Sequence, residues 1–244
     1  MSAYFTCAAL ELPHRFGAIG AQLDELSRQL ERLGPVELAL LPECALTGYL
    51  SPAGEFDLRP FAEPLDGPTS ARVAALARQH GIALAAPLIE RAGDRVFNTH
   101  QVFDREGRRV AHYRKRHPWY PEHWATPGDL PYPLFALNGW NVALAICFDV
   151  HFLADEAARE LRLADVLLFP SAWCESGADS RDSLLPALAR QFALSILHAN
   201  WGPGEPRIAG QGGSRILGRD GRELARAAVG QRLISARLES RARG

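Results

Sequence analysis

The chain has 244 residues, 47% of them hydrophobic, with 27 basic against 28 acidic side chains, which is enough for one large core and predicts a single domain over residues 1–244. A formal net charge of −1 excludes the basic field that draws nucleic acid and any polybasic membrane anchor, and no apolar run approaches the ~18 residues that span a bilayer. Four cysteines without a CxxC pair, behind an opening segment unlike a signal peptide, predict a soluble cytoplasmic protein with free thiols.

In chain order, residues 6–10 form an apolar run that reads as a buried strand. Residues 18–33 follow as a helix, with Ile19, Leu23, Leu26, Leu30 and Leu33 three and four apart. A second strand is predicted over 36–41. A helix over 69–79 carries Val73, Leu76 and Ala77 on one face and stops at Gly81. Another strand covers 82–88. Residues 96–103 and 108–113 read as a hairpin through the turn at 104–107. Strands at 142–146, 166–169 and 196–199 alternate with helices at 154–163 and 183–197. Residues 215–217 and 222–228 make a second hairpin through 218–221. Apolar strands alternating with helices indicate helix-covered sheets, an α/β architecture, and the hairpins make those sheets mixed. The arginine-rich tail from Gly218 onward reads as a solvated charged face.

Of the 27 basic residues 26 are arginine, and Lys115 is the one lysine. It is either a chance survivor on the surface or a position where a compact ammonium serves and a wide planar guanidinium does not. Several common sites are absent from the sequence: HExxH, metal-spaced Cys/His clusters, a phosphate-binding GK[ST] loop and a GxSxG elbow. No metal and no organic cofactor is expected.

Three places carry possible chemistry. Glu43 follows the strand at 36–41 through Leu41-Pro42, at the strand's C-terminal mouth where α/β proteins bind ligands; the plain alternative is a loop carboxylate. Lys115 leaves the strand at 108–113 and enters the loop His117-Pro-Trp-Tyr-Pro-Glu122, whose aromatics could wall a pocket. Cys147 ends the run Val142-Ala-Leu-Ala-Ile just before a helix. That elbow would expose its thiol, and nearby helix N-terminal amides would favour a thiolate, whereas the plain alternative is a small buried hydrophobe.

Taken in order, Leu41-Pro-Glu-Cys-Ala-Leu-Thr-Gly-Tyr49, Tyr113-Arg-Lys115 with Pro127-Gly128, and Ile146-Cys-Phe-Asp149 resemble the glutamate, lysine and nucleophile motifs of the nitrilase (carbon–nitrogen hydrolase) superfamily. The likeness continues through Leu168-Phe-Pro-Ser-Ala172, Ala199-Asn200 and Gly212-Gly-Ser214 to Asp220-Gly221. One departure is Leu153-Ala154 after Phe152, where the family has Pro-Glu, a carboxylate that supports the elbow.

The resemblance implies a four-layer αββα sandwich with two mixed β-sheets, dimerised through its helices. It implies Glu43 as base, Cys147 as nucleophile, and Lys115 with the Phe148 amide as oxyanion donors, Glu122 orienting Lys115 or the substrate. Trp119, Tyr120, Trp124, Trp173 and Cys174 would wall a small site. The loop resembles the aliphatic-amidase branch, so the expected substrate is a small linear amide or carbamoyl compound, cleaved with release of ammonia. The alternatives are a small nitrile, acyl transfer from the thioester to an amine, or a degenerate binding protein.

Overall fold

The structure is a computed structural model that describes residues 4–228 and 230–239, without the side chains of residues 177, 178 and 180. Two six-stranded sheets stack face to face. The first is built from β1 (Tyr4–Leu10), β3 (Leu38–Leu40), β4 (Ala83–Ala92), β5 (Arg95–Phe103), β6 (Arg109–Arg114) and β14 (Leu233–Glu239), in the order β14-β1-β3-β4-β5-β6. The second holds β7 (Leu134–Leu137), β8 (Trp140–Leu144), β9 (Val166–Ser171), β10 (Ser195–Asn200), β12 (Arg215–Leu217) and β13 (Glu223–Arg226), in the order β13-β12-β10-β9-β8-β7. A short pair, β2 (Pro13–Arg15) and β11 (Gly202–Glu205), stands apart. Both large sheets mix parallel and antiparallel neighbours.

The period of two in each strand explains the continuous apolar runs. On β1, β3 and β4, Cys7, Ala9, Leu38, Leu40, Ala83 and Ala85 face the second sheet. Their neighbours Ala8, Leu10, Ala39, Leu41, Leu84 and Ala86 face the other way, against α1 (Ile19–Glu31) and α2 (Pro68–His80) through Leu23, Leu26, Val73 and Leu76. Strands buried on both faces have no polar side to show. The second sheet is covered by α3 (Leu153–Glu156), α4 (Ala158–Leu163) and α5 (Ala178–Phe192), whose Leu161, Leu185, Leu188 and Phe192 join its core. The result is four layers, helix–sheet–sheet–helix. Among the described residues no helix is long and apolar enough to cross a membrane.

The expected boundaries shift where backbone geometry decides. Pro68 opens α2, where its missing N–H costs nothing, and Gly81 closes it at φ 64°. The helix expected over 183–197 ends at Phe192, because Ala193 turns left-handed at φ 49° and releases Ser195 into β10. The helix expected over 154–163 breaks at Ala157 into α3 and α4. The tail from Gly218 is not merely a solvated face. Its β14 alternates buried Ile234 and Leu238 with exposed Ser235 and Glu239 and pairs along all of β1. Residues 229 and 240–244 of that tail lie outside the described residues.

A buried ion cluster stiffens the strands that deliver Lys115. Glu90 of β4 accepts from Thr99 Oγ1 on β5 (2.8 Å) and from Arg114 on β6, and pairs with His112 Nε2 at 2.7 Å. Burial raises its carboxyl, but His112, Arg114 and Thr99 outweigh that and hold it down at about 2. A depressed carboxyl stabilises the fold above its unfolded pKa and loses that contribution as pH falls through the folded one. Glu90→Gln is therefore expected to cost roughly 2–3 kcal/mol at pH 7. The deficit should shrink below about pH 4.5 and vanish near pH 2. Urea melts of both proteins at pH 7 and pH 3 check this, and an equal gap at both pH values would remove the argument.

Candidate active site

All three motifs leave strands at the same end of the two sheets' interface. Glu43 follows β3 by way of Leu41, whose N–H still bonds Ala85 O, and Pro42. Lys115 continues the β5–β6 ladder by one bond, its N–H donating to Asn98 O at 2.8 Å. Its own carbonyl accepts from Gly128 N at 2.8 Å, and a Cβ at Gly128 would lie 2.1 Å from Arg114 O, so only glycine fits there. Cys147 follows β8 through Ala145 and Ile146 and opens the short turn Cys147–His151 at φ 47°. That left-handed value is costly for a side chain with a Cβ, and the turn lies where an elbow was expected, but Cys147 is only 6% exposed where the sequence predicts an exposed thiol.

The charged groups form one enclosed network. The Lys115 ammonium donates to Glu43 Oε1 at 2.6 Å and to Glu122 Oε1 at 2.7 Å, with all three side chains wholly buried. Glu43 also accepts from Asn98 Nδ2 (2.8 Å) and the Ala172 amide (2.9 Å). Glu122 accepts from Tyr49 OH at 2.5 Å. Two carboxylates thus face one ammonium out of reach of water. Burial and the neighbouring Glu43, against the pull of Lys115, push Glu122 up to about 7. Burial would lower Lys115, but Glu122 and Glu43 outweigh it and hold the ammonium well above its ordinary range.

The Cys147 thiol is held well above its ordinary value, first by burial and then by Glu43, while Lys115 and the Ala172 amide oppose them. The expectation that elbow amides favour a thiolate is corrected here, since desolvation outweighs them. The resting group is a thiol that needs a base.

Asp149 braces the elbow against the lysine loop. Its Oδ2 accepts from Tyr113 OH (2.8 Å) and Ile146 N (3.0 Å), and its Oδ1 from His117 N (3.0 Å). One buried carboxylate, raised to about 6 by its burial, therefore links the residue before Cys147 to the segment after Lys115. Where the family pattern has Pro-Glu, Leu153 is buried, and Glu156 on α3 accepts from Arg116 Nε (3.2 Å) and pairs with His117 Nε2 (3.1 Å). A carboxylate still reaches across, from a different position.

A cavity of about 200 Å³ opens beside Cys147, walled by Tyr49, Trp119, Phe148, Trp173 and Cys174 among others. Trp119, Trp173 and Cys174, expected at a small site, line this cavity, together with Phe148, for which only the backbone amide had been given a role. Tyr120 does not join them: it is 80% exposed and faces a separate surface depression with Phe56 and Arg59. Trp124 is buried in the apolar cluster under that loop instead of in the cavity wall. Tyr49, Asn98, Asp149 and the Ala172 amide had no role assigned from sequence. Asn98 sits beside Thr99, His100 and Gln101 on β5, so its polarity did not single it out, whereas Tyr49 closes the glutamate motif. Among the described residues no cluster of three His, Cys, Asp or Glu could hold a metal ion.

A family model described as carbon–nitrogen hydrolase matches residues 10–243. A protein described as a hydrolase in the pqqF 5′ region of Pseudomonas protegens is 30% identical over 242 residues, covering 97% of this chain and 84% of that one. The N-carbamoylputrescine amidase of Arabidopsis thaliana is 27% identical over 230 residues, 85% of this chain and 76% of its own. Among solved structures, a cysteine-to-alanine mutant of the amidase from Nesterenkonia sp. AN1 in complex with butyramide superposes with a TM-score of 0.86 at 26% identity, covering 96% of this chain and 91% of that one.

Proposed function

The chain belongs to the carbon–nitrogen hydrolase family, within the nitrilase superfamily, and from that premise we propose that it hydrolyses small linear amides or carbamoyl compounds through a thioester on Cys147. The observation that carries this reading is the Lys115 ammonium clamped between Glu43 and Glu122 at 2.6 and 2.7 Å, beside a cavity that Cys147 lines.

Each step follows from what the groups can exchange. Glu43 takes the thiol proton, and the thiolate sulfur attacks the amide carbonyl carbon. The oxygen that gains the negative charge is held by the Lys115 ammonium and the Phe148 N–H. Preorganised donors of this kind are worth ~2.7–4 kcal/mol each in a site closed to water. Glu43 returns its proton to the leaving nitrogen, the C–N bond breaks, and ammonia departs. It then takes a proton from water, whose oxygen attacks the thioester carbon, and the Cys147 sulfur leaves with that proton. Glu122 keeps Lys115 in place and is itself held by Tyr49 and the Trp119 amide.

Ammonia release from short amides, carbamoyl amines and nitriles, with rapid-quench mass spectrometry of Cys147, tests the proposal. Ammonia plus acid from an amide or carbamoyl compound, with an acyl mass on Cys147, is the expected result. Turnover of nitriles alone would make the protein a nitrilase. Silence from folded protein would favour a binding role.

A further inference from the structure

The wall of the cavity narrows the substrate class beyond the amide chemistry on which this inference rests. Besides the aromatic rings and the two thiols, the wall consists of His151, Ala172 and Ser176. Among the described residues that line the cavity, none is an aspartate, glutamate, lysine or arginine. Partial burial holds His151 below its ordinary value, which disfavours its imidazolium form. The Tyr49 hydroxyl is already committed to Glu122. Glu43, Lys115 and Glu122 are not among the residues that line the cavity, and each Glu43 and Glu122 oxygen that binds Lys115 also takes a second donor.

Ionised side chains do lie nearby, but on the far side of an aromatic partition. Phe56 and Trp119 meet edge to face with centroids 6.2 Å apart. Trp119 lines the cavity, whereas Glu55, Asp57 and Arg59 line the separate depression beyond Phe56. Asp57 and Arg59 there pair with each other at 2.7 Å. A cavity of about 200 Å³ is also smaller than pockets for drug-sized ligands, which run ~300–1,000 Å³. A charge carried into it on the substrate would lose its hydration and meet no ionised side chain among the described residues that line it.

We infer that the enzyme takes short amides whose acyl chain is uncharged, and rejects isosteres that carry an ammonium or a carboxylate on that chain. Specificity comes from the missing counter-charge in the wall, with Trp119 and Trp173 supplying the apolar contact.

The test compares kcat/KM for valeramide, 4-aminobutyramide and succinamate at pH 7.5. Valeramide is expected to exceed both charged amides by about 100-fold. A ratio under tenfold for either charged compound would overturn the inference while leaving amide hydrolysis intact. Ser176→Asp places a carboxylate in the wall and should raise 4-aminobutyramide relative to valeramide at least about tenfold. An unchanged ratio in that variant counts equally against it. Failure of all three amides, with no acyl mass on Cys147, would overturn the amide-hydrolase reading itself and this inference with it.

Discussion

Cys147→Ala is expected to reduce amide turnover by about 10⁵-fold or more, leaving only what binding and the oxyanion donors supply without a nucleophile. Alanine keeps the Cβ at φ 47°, so the elbow retains its shape and the loss is chemical, not structural. Cys147→Ser should fare little better despite its similar outline. The cysteine thiol already sits well above its ordinary pKa because burial and Glu43 oppose its charge, and a hydroxyl starts from a far weaker acidity. Ammonia release measured beside near-wild-type thermal melts checks both variants. Retention of more than about one percent of activity by the alanine variant would sink the thioester mechanism.

Lys115→Arg is expected to cost about 10²–10³ in kcat, the loss of one oxyanion donor. The substitution keeps the charge and so isolates geometry. The ammonium sits at 2.6 and 2.7 Å from two carboxylates that are themselves pinned by Asn98, the Ala172 amide and Tyr49. A guanidinium is longer, planar and rigid, and it would have to enter a wholly buried enclosure whose carboxylates are held by other donors. Its fork would pair with the carboxylates and point no compact donor at the substrate oxygen. Lys115→Ala would be a worse probe, because it leaves two buried carboxylates without their counter-charge, a loss of about 3–5 kcal/mol. Lysine stays an ammonium across the working pH range, so a basic limb in the wild-type pH profile belongs to another group. An arginine variant that keeps a third of the activity would show that Lys115 has no compact-donor role, leaving its status as the one lysine among 27 basic residues unexplained.

Glu43 and Cys147 were legible because each ends an apolar strand, and Lys115 because it is the one lysine and leaves a hairpin strand, and strand ends converge where a stacked pair of sheets opens. Most central strands, such as those at 6–10, 82–88, 142–146 and 166–169, were legible as continuous apolar runs, while β7 and β14 at the sheet edges were not. What the sequence hid was distance. Tyr49 meets Glu122 across 73 residues, and the Ala172 amide meets Glu43 across 129. No local pattern announces such a contact, and a backbone amide has no letter of its own. Tyr120 misled because a run of aromatics looks uniform in one dimension, while the turn through Trp119–Glu122 sends neighbouring rings to opposite sides. The strand at 233–239 was masked by composition: the arginines around it outweighed the alternation of Ile234, Ala236 and Leu238.

That last strand sets a timetable for synthesis. β1 is made long before β14, yet one of its edges is covered by β14, with Cys7 opposite Ala236. Until residues 233–239 emerge, the apolar edge Tyr4–Leu10 offers its unpaired N–H and C=O groups to any other extended chain. Contacts this distant in sequence also form slowly. The nascent protein thus carries an open sheet edge until β14 has been made, and yield in the cell should depend on chaperones that shield it more than on the stability of the finished sandwich.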